Sequence, residues 1–290
     1  MKKALLILGI LGLVMGSARG DVFSIYAEND FAMQKDYYYT HATRLSYQQD
    51  NGWEYVAAQN IYTPKNKDTV VPDAGDRPYA GWLYGGVGKT IQNGLVEHYF
   101  EVDLGIVGPD SYAYESQKTI HEWIGCKVPK GWDSQIPDEF AYEFLNKESL
   151  SLLDNPYFNI VPYTELAGGN VQSYVGVGGV IMFGYNVEQS MHNNQIPIKA
   201  INISKDKRFY GFIGGDERYV FNDIFLDDND YNGYPYSVKR EHGVGDVQFG
   251  LCAQYKFVKI TWSRDYRSKE FKTEGEGFKG YDSIKLSFCF

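Results

Sequence analysis

The C-terminal segment alternates without a break: Ile284, Leu286, Phe288 and Phe290 fall on one face of an extended chain, Ser283, Lys285 and Ser287 on the other. The same pattern sets Val96, Phe100, Val102, Leu104 and Ile106 against Glu97, Glu101 and Asp103, and Val258, Ile260 and Trp262 against Lys259, Thr261 and Ser263. Period-two alternation specifies β-strands. A soluble core has no use for so many inward carboxylates and lysines, since burying unpaired charge is costly. Lipid on the apolar side and a polar lumen on the other satisfies both faces, so the pattern predicts a transmembrane β-barrel. Composition agrees: 25 tyrosines within 16% aromatics, at a mean hydropathy of -0.39, suit a barrel with aromatic girdles better than a soluble sandwich.

Alternation and turn chemistry delimit strands at about 21–30, 38–49, 53–62, 79–92, 94–107, 139–154, 157–168, 172–187, 207–222, 244–255, 257–267 and 280–290. These are twelve, an even number as single-chain bacterial barrels require. Asp50-Asn51-Gly52, Gln92-Asn93-Gly94 and Asp154-Asn155-Pro156 are tight-turn sequences at alternate joints, which makes them the periplasmic turns. The joints at 31–37, 63–78, 108–138, 223–243 and 268–279 then lie outside the cell. One joint departs from the pattern: 188–206 is long yet falls on the periplasmic side, while the outer joint at 169–171 is short. Either a strand is miscounted or that periplasmic loop is long in its own right.

Lys2 and Lys3 precede an apolar run from Ala4 to Met15, and Ala18-Arg19-Gly20 ends in small residues. This is the form of a secretory signal, so residues 1–20 are expected to be cleaved and 21–290 to form the barrel in the outer membrane. The run is too short for a bilayer that needs about 20 apolar residues. Cleavage removes three basic and no acidic residues and takes the formal charge from -9 to -12. Such a chain does not attract nucleic acid, and an anionic ligand must be met by local cations or a bound metal. Cys126, Cys252 and Cys289 are odd in number and lack metal-ligand spacing.

The stretch from Gly108 to Glu139 is unlike the rest. Asp110 is placed to cap a helix that Gly125 stops, with Tyr114, Gln117, His121 and Ile124 on one face at i, i+3 and i+7 spacing. Strand parity gathers Glu28-Asn29-Asp30, Thr40-His41 and Asp76-Arg77 at the same rim as this loop. Alone, Asp30 reads as a turn residue, Arg77 as a rim salt bridge and His121 as an incidental loop histidine. Their gathering makes the rim a candidate active site.

ENDFAMQKDYYYT at 28–40, IYTP at 61–64, DRPYAGWLY at 76–84, the GP and later QKTIHEWIGCKVPKGWDSQ between 108 and 135, and KEF at 269–271 resemble, in order, the LpxR-type lipid A 3'-O-deacylases of Gram-negative outer membranes. The resemblance spans nearly the whole chain after residue 20 and implies a twelve-stranded barrel with its site at the outer rim. It further implies calcium-dependent hydrolysis of the 3'-O-linked acyloxyacyl ester of lipid A, the lipopolysaccharide anchor in the outer leaflet. By that resemblance Asn29 and Asp30 lie in the metal region, Thr40 opens the second strand at the site, and His121 is the base. The residue types suit this chemistry: a neutral imidazole takes a proton from water, and calcium accepts carboxylate and amide oxygens. Lys65, Lys67 and Arg77 are local cations for phosphates or an oxyanion, with Lys67 and Arg77 expected to bind substrate. A family carboxylate about six residues after the histidine is replaced by Lys127, leaving Glu122, Asp133, Asp138 or Glu139 to supply that oxygen. His41 falls with Leu45 and Tyr47 on the lipid-facing side, which favours His121 as the base. Two other readings stay open: a barrel phospholipase pairing Ser134 or Ser116 with His121, and a non-enzymatic channel or adhesin. One chain per barrel, a monomer, is expected.

Overall fold

The computed structural model describes residues 20–29, 38–153, 155–187, 207–226 and 234–290. Residues 1–19 of the predicted signal, Asp30 and the long joint at 188–206 lie outside these residues.

Twelve antiparallel strands close into one barrel. They are β1 (Val22–Asn29), β2 (Tyr38–Gln48), β3 (Trp53–Thr63), β4 (Ala80–Asn93), β5 (Val96–Val107), β6 (Glu139–Leu150), β7 (Phe158–Gly169), β8 (Gln172–Tyr185), β9 (Lys207–Asp223), β10 (Gly243–Tyr255), β11 (Val258–Arg267) and β12 (Lys279–Cys289). Closure pairs β1 with β12, from Val22 opposite Cys289 to Asn29 opposite Asp282. Closure leaves no unpaired edge, which a lipid environment demands. The irregular joint therefore reflects no miscounted strand: β7 and β8 do meet in a short outer turn at Asn170, whose side chain bonds the Phe140 carbonyl and the Tyr142 amide of the neighbouring strand β6.

The two faces segregate as the alternation requires. Ile91, Phe100, Val102, Leu104, Ile181, Ile213 and Ile284 stand exposed on the outer wall. Inside, charges are paired, mostly between neighbouring strands. Arg44 donates to both oxygens of Glu101 at 2.7 and 2.5 Å, and Lys147 meets Glu165 at 2.8 Å. Arg267 donates to Asp246 at 2.9 Å, and Arg218 pairs with the same carboxylate. In a narrow lumen, side chains fill most of the section. What remains is a polar cavity of about 140 Å³, lined among others by Glu28, Arg44, Glu101, Asp103, Arg218 and Arg267. Phe225 covers its outer mouth, stacked on Tyr62 with ring centres 4.3 Å apart.

The one α-helix of the described residues, α1 (Ala113–Ile124), follows a 3-10 turn at Pro109–Ser111. Asp110 does not cap it. The cap position is Tyr112, in a left-handed conformation at φ 56°, and the Asp110 amide instead donates to the Asp138 carboxylate at 2.7 Å. Gly125 ends the helix at φ 76°, as its freedom from a Cβ allows.

Candidate active site

The helix lies on the outer wall of the barrel. On β3, Asn60 and Tyr62 line the luminal cavity, so Ile61 and Thr63, alternating with them, face outward. Ile61 is fully buried there, in a cluster with Tyr79, Ala113 and Trp132. On β4, Trp82 lines the lumen and Gly81 faces out; a Cβ on Gly81 would meet the Ala113 Cβ and the Ser111 Oγ, each at 2.2 Å. Only glycine lets the start of the helix come so close to the wall. Gln59 reinforces this by donating to the Ser111 carbonyl at 2.6 Å.

Ala113, Gln117 and His121 form the buried face of α1. Gln117 accepts a 2.7 Å hydrogen bond from the Trp132 indole, and Trp132 packs on Tyr79 with ring centres 5.1 Å apart. Ile124, placed on this face by spacing, is instead 53% exposed, because the helix ends just as its wall-facing side turns away. His121 is only 6% exposed, and its Nδ1 is 2.6 Å from the Lys127 carbonyl oxygen. A carbonyl only accepts, so Nδ1 carries a proton, and of the two neutral tautomers this contact selects the one whose lone pair is on Nε2.

Asn29 and Thr40 come together on the same outer wall. Glu28 lines the lumen, so Asn29 points out; its amide donates to the Thr40 carbonyl at 3.2 Å. An irregularity in the β2–β3 register falls between Tyr39 and His41, at Thr40. There the Thr40 hydroxyl meets the Thr63 hydroxyl at 2.6 Å, the two sharing one face. His41 also faces outward, as its alternation predicts, with Nε2 2.6 Å from the Thr43 hydroxyl. Asn29, Thr40 and Thr63 thus form a polar shelf on β1–β3, continuous through Ile61 with the wall that seats α1.

Arg77 stands apart from this shelf. It is 1% exposed, lies over the Tyr62 ring at 4.5 Å and pairs with Glu270 at 3.1 Å. Tyr62 lines the lumen, so Arg77 plugs the mouth on the far side of the wall from the shelf and is no free rim cation. Lys67 stays at the outer loops, half-buried, and its carbonyl accepts from the Lys130 amide at 3.0 Å, tying the 64–79 loop to the loop that carries α1. Asp138 accepts from the Asp110 amide and Glu139 from the Asn170 side chain. Glu122 and Asp133 are exposed. Where a carboxylate was sought six residues after the histidine, the Lys127 main chain makes the contact instead. Thr63 stood in the IYTP segment with no role assigned; its only signal was parity with Ile61.

For the calcium reading, the described donors fit in kind. Asn29 and nearby main-chain carbonyls are hard oxygens without competing sulfur. No group of three or more His, Cys, Asp or Glu able to hold a metal occurs among the described residues, and Asp30 lies outside them. Of the candidate serines, Ser134 turns its hydroxyl to the Gly131 carbonyl at 2.7 Å, away from a nucleophile's role toward His121.

The family profile described as "Outer membrane protein LpxR" matches residues 4–290. Among solved structures, LpxR from Salmonella typhimurium superposes with a TM-score of 0.80 at 22% identity, covering 93% of this chain and 100% of that one. The NanC porin gives a TM-score of 0.43 at 10% identity, covering 92% and 98%. Comparison with curated proteins finds no match.

Proposed function

The chain belongs to the LpxR family of outer membrane proteins, and on that footing we propose that it is a lipid A deacylase hydrolysing the 3'-O-linked acyloxyacyl ester with a water activated by His121. The observation that carries this reading is the Nδ1 hydrogen bond to the Lys127 carbonyl, which leaves Nε2 as the basic nitrogen. General-base help of this kind is worth about 10²–10⁴-fold. The ring's position between the helix and the outer wall favours a substrate drawn from the leaflet rather than from the lumen.

The roles of the other residues follow from where they stand. Thr40 and Asn29 hold each other, so the shelf is preorganised before substrate arrives. Asn29 and Asp30 would hold a calcium ion, which supplies a positive charge to polarise the ester carbonyl and stabilise an oxyanion. Lys67, with Lys65, offers charge for the lipid phosphates. His121 takes the proton from water and returns it to the leaving sugar hydroxyl.

A channel is disfavoured by the paired charged side chains that fill the lumen and by Phe225 over its mouth. Incubating the purified barrel with lipid A in calcium, then analysing both products by mass spectrometry, tests the proposal. Release of one acyloxyacyl acid, unaffected by a serine-directed phosphonate, is the expected result. Intact lipid A from a folded barrel overturns the proposal, and inhibition by the phosphonate replaces it with the phospholipase-type mechanism.

A further inference from the structure

Helix α1 has two faces, and the chemistry uses one. Toward its C-terminal end the helix leaves a stripe of Ile120, Trp123 and Ile124, at i, i+3 and i+4 spacing, exposed by 37%, 88% and 53% respectively, with Trp123 on the side away from His121. An indole left almost entirely in water forgoes the largest burial energy any side chain offers. Nothing in the packing of α1 requires this, since Ala113, Gln117 and His121 already seat the helix on the wall.

The surroundings identify what covers the stripe. The start of α1 seals the outward face of Gly81, and the next outward residue of β4 is Leu83, exposed on the apolar wall roughly 7 Å along the strand. The stripe therefore belongs to a helix seated on the same outward wall that exposes Leu83. Just past the helix, Lys127 and Lys130 are exposed beside it. Indole and lysine together at the upper edge of an apolar wall match the boundary between acyl chains and headgroups, where an amphipathic ring and a cation on a flexible stem both find partners.

We propose that Ile120, Trp123 and Ile124 insert into the outer leaflet, so that α1 is an interfacial anchor whose partner is the lipid surface itself. The inference rests on membership of an outer-membrane family, not on deacylation. Its consequence for the proposed reaction is positional. Trp123 follows His121 by two residues, a rise of about 3 Å, so the depth of the anchor fixes the height of the imidazole relative to lipid ester bonds.

The test is fluorescence of the full barrel in vesicles whose phospholipids carry brominated acyl chains, for the natural chain and for Trp123→Phe. Trp53, Trp82, Trp132 and Trp262 are common to both samples, so the difference spectrum belongs to Trp123. Emission that is blue-shifted, quenched by lipid bromine and insensitive to aqueous iodide is expected. Emission of a water-exposed indole, quenched by iodide and untouched by bromine, overturns the proposal. Blue-shifted emission that lipid bromine does not quench, and that varies with protein density, assigns the stripe to a second copy and equally overturns it. In a parallel assay, Trp123→Ala with Ile124→Ala is expected to slow lipid A cleavage several-fold in bilayers while leaving the rate in detergent micelles unchanged. Absence of cleavage by the natural chain in both media removes the deacylase reading, and the fluorescence still decides the anchor.

Discussion

The Nδ1 of His121 donates to the carbonyl oxygen of Lys127, 2.6 Å away and just beyond the end of α1. The reversal that brings this carbonyl back is set by Gly125, at φ 76°, and by the Cys126 amide, which donates to the His121 carbonyl at 2.8 Å. A main-chain group, not a charged side chain, therefore fixes the tautomer of the proposed base.

This makes the Lys127 side chain and the Gly125 backbone separable. Lys127→Ala keeps the carbonyl, so kcat should stay within about twofold, since loss of an exposed ion pair such as Lys127–Asp68 at 3.7 Å changes little. Gly125→Val places a β-branched residue in the left-handed region at a cost of roughly 1–2 kcal/mol. It should lower kcat while barrel stability, followed by heat-dependent gel mobility, is retained.

Gly81 governs the seat of α1. Gly81→Ala introduces a Cβ 2.2 Å from the Ala113 Cβ and the Ser111 Oγ, so the helix must lift from the wall. Overpacking of this kind costs about 1–3 kcal/mol. Activity should fall at least in proportion, and the strands, paired along their whole length, should remain; exchange protection measured on β3–β5 and on α1 separately checks this.

Thr40 and Thr63 bond hydroxyl to hydroxyl at 2.6 Å, both buried. Thr40→Val leaves the Thr63 hydroxyl unsatisfied and should cost about 1–3 kcal/mol. Adding Thr63→Val should recover much of that stability, because two apolar groups of the same shape replace the pair. Activity should not return with stability if Thr40 serves the site; parallel denaturation and rate measurements separate the two.

Arg77 is expected to act on stability rather than on substrate. Removing its 3.1 Å contact with Glu270 by Arg77→Ala should destabilise the outer loops by about 1.5–3 kcal/mol, softened because Arg267 also reaches Glu270. KM for lipid A should be unchanged, whereas Lys67→Ala should raise it. A raised KM for Arg77→Ala alone would return that residue to the substrate site.

The strands were legible because period-two alternation of charge against apolar side chains leaves no second solution, as Lys285 between Ile284 and Leu286 illustrates. Turn sequences such as Asp50-Asn51-Gly52 then fixed parity, and parity gathered Asn29, Thr40 and the helix at one end. Local spacing was less informative about tertiary placement. It assigned Asp110 as a cap, yet the cap falls two residues later at Tyr112, where the chain approaches Gly81 closely. It put Ile124 with His121, although the wall ends before that turn. Arg77 read as a rim cation because nothing in its neighbours reveals that the loop dips into the mouth over Tyr62. The contact of Lys127 with His121 runs through the main chain, which side-chain patterns do not encode.

The central claim is that His121 is the base of a calcium-supported deacylation at the outer wall. Mass spectrometry of lipid A from outer membranes containing the natural chain or His121→Ala, each with calcium or with a chelator, tests it most directly. The account predicts loss of one acyloxyacyl unit only for the natural chain with calcium, and a drop of about 10²–10⁴-fold in rate for His121→Ala. Equal loss of that unit in the folded His121→Ala barrel would contradict it.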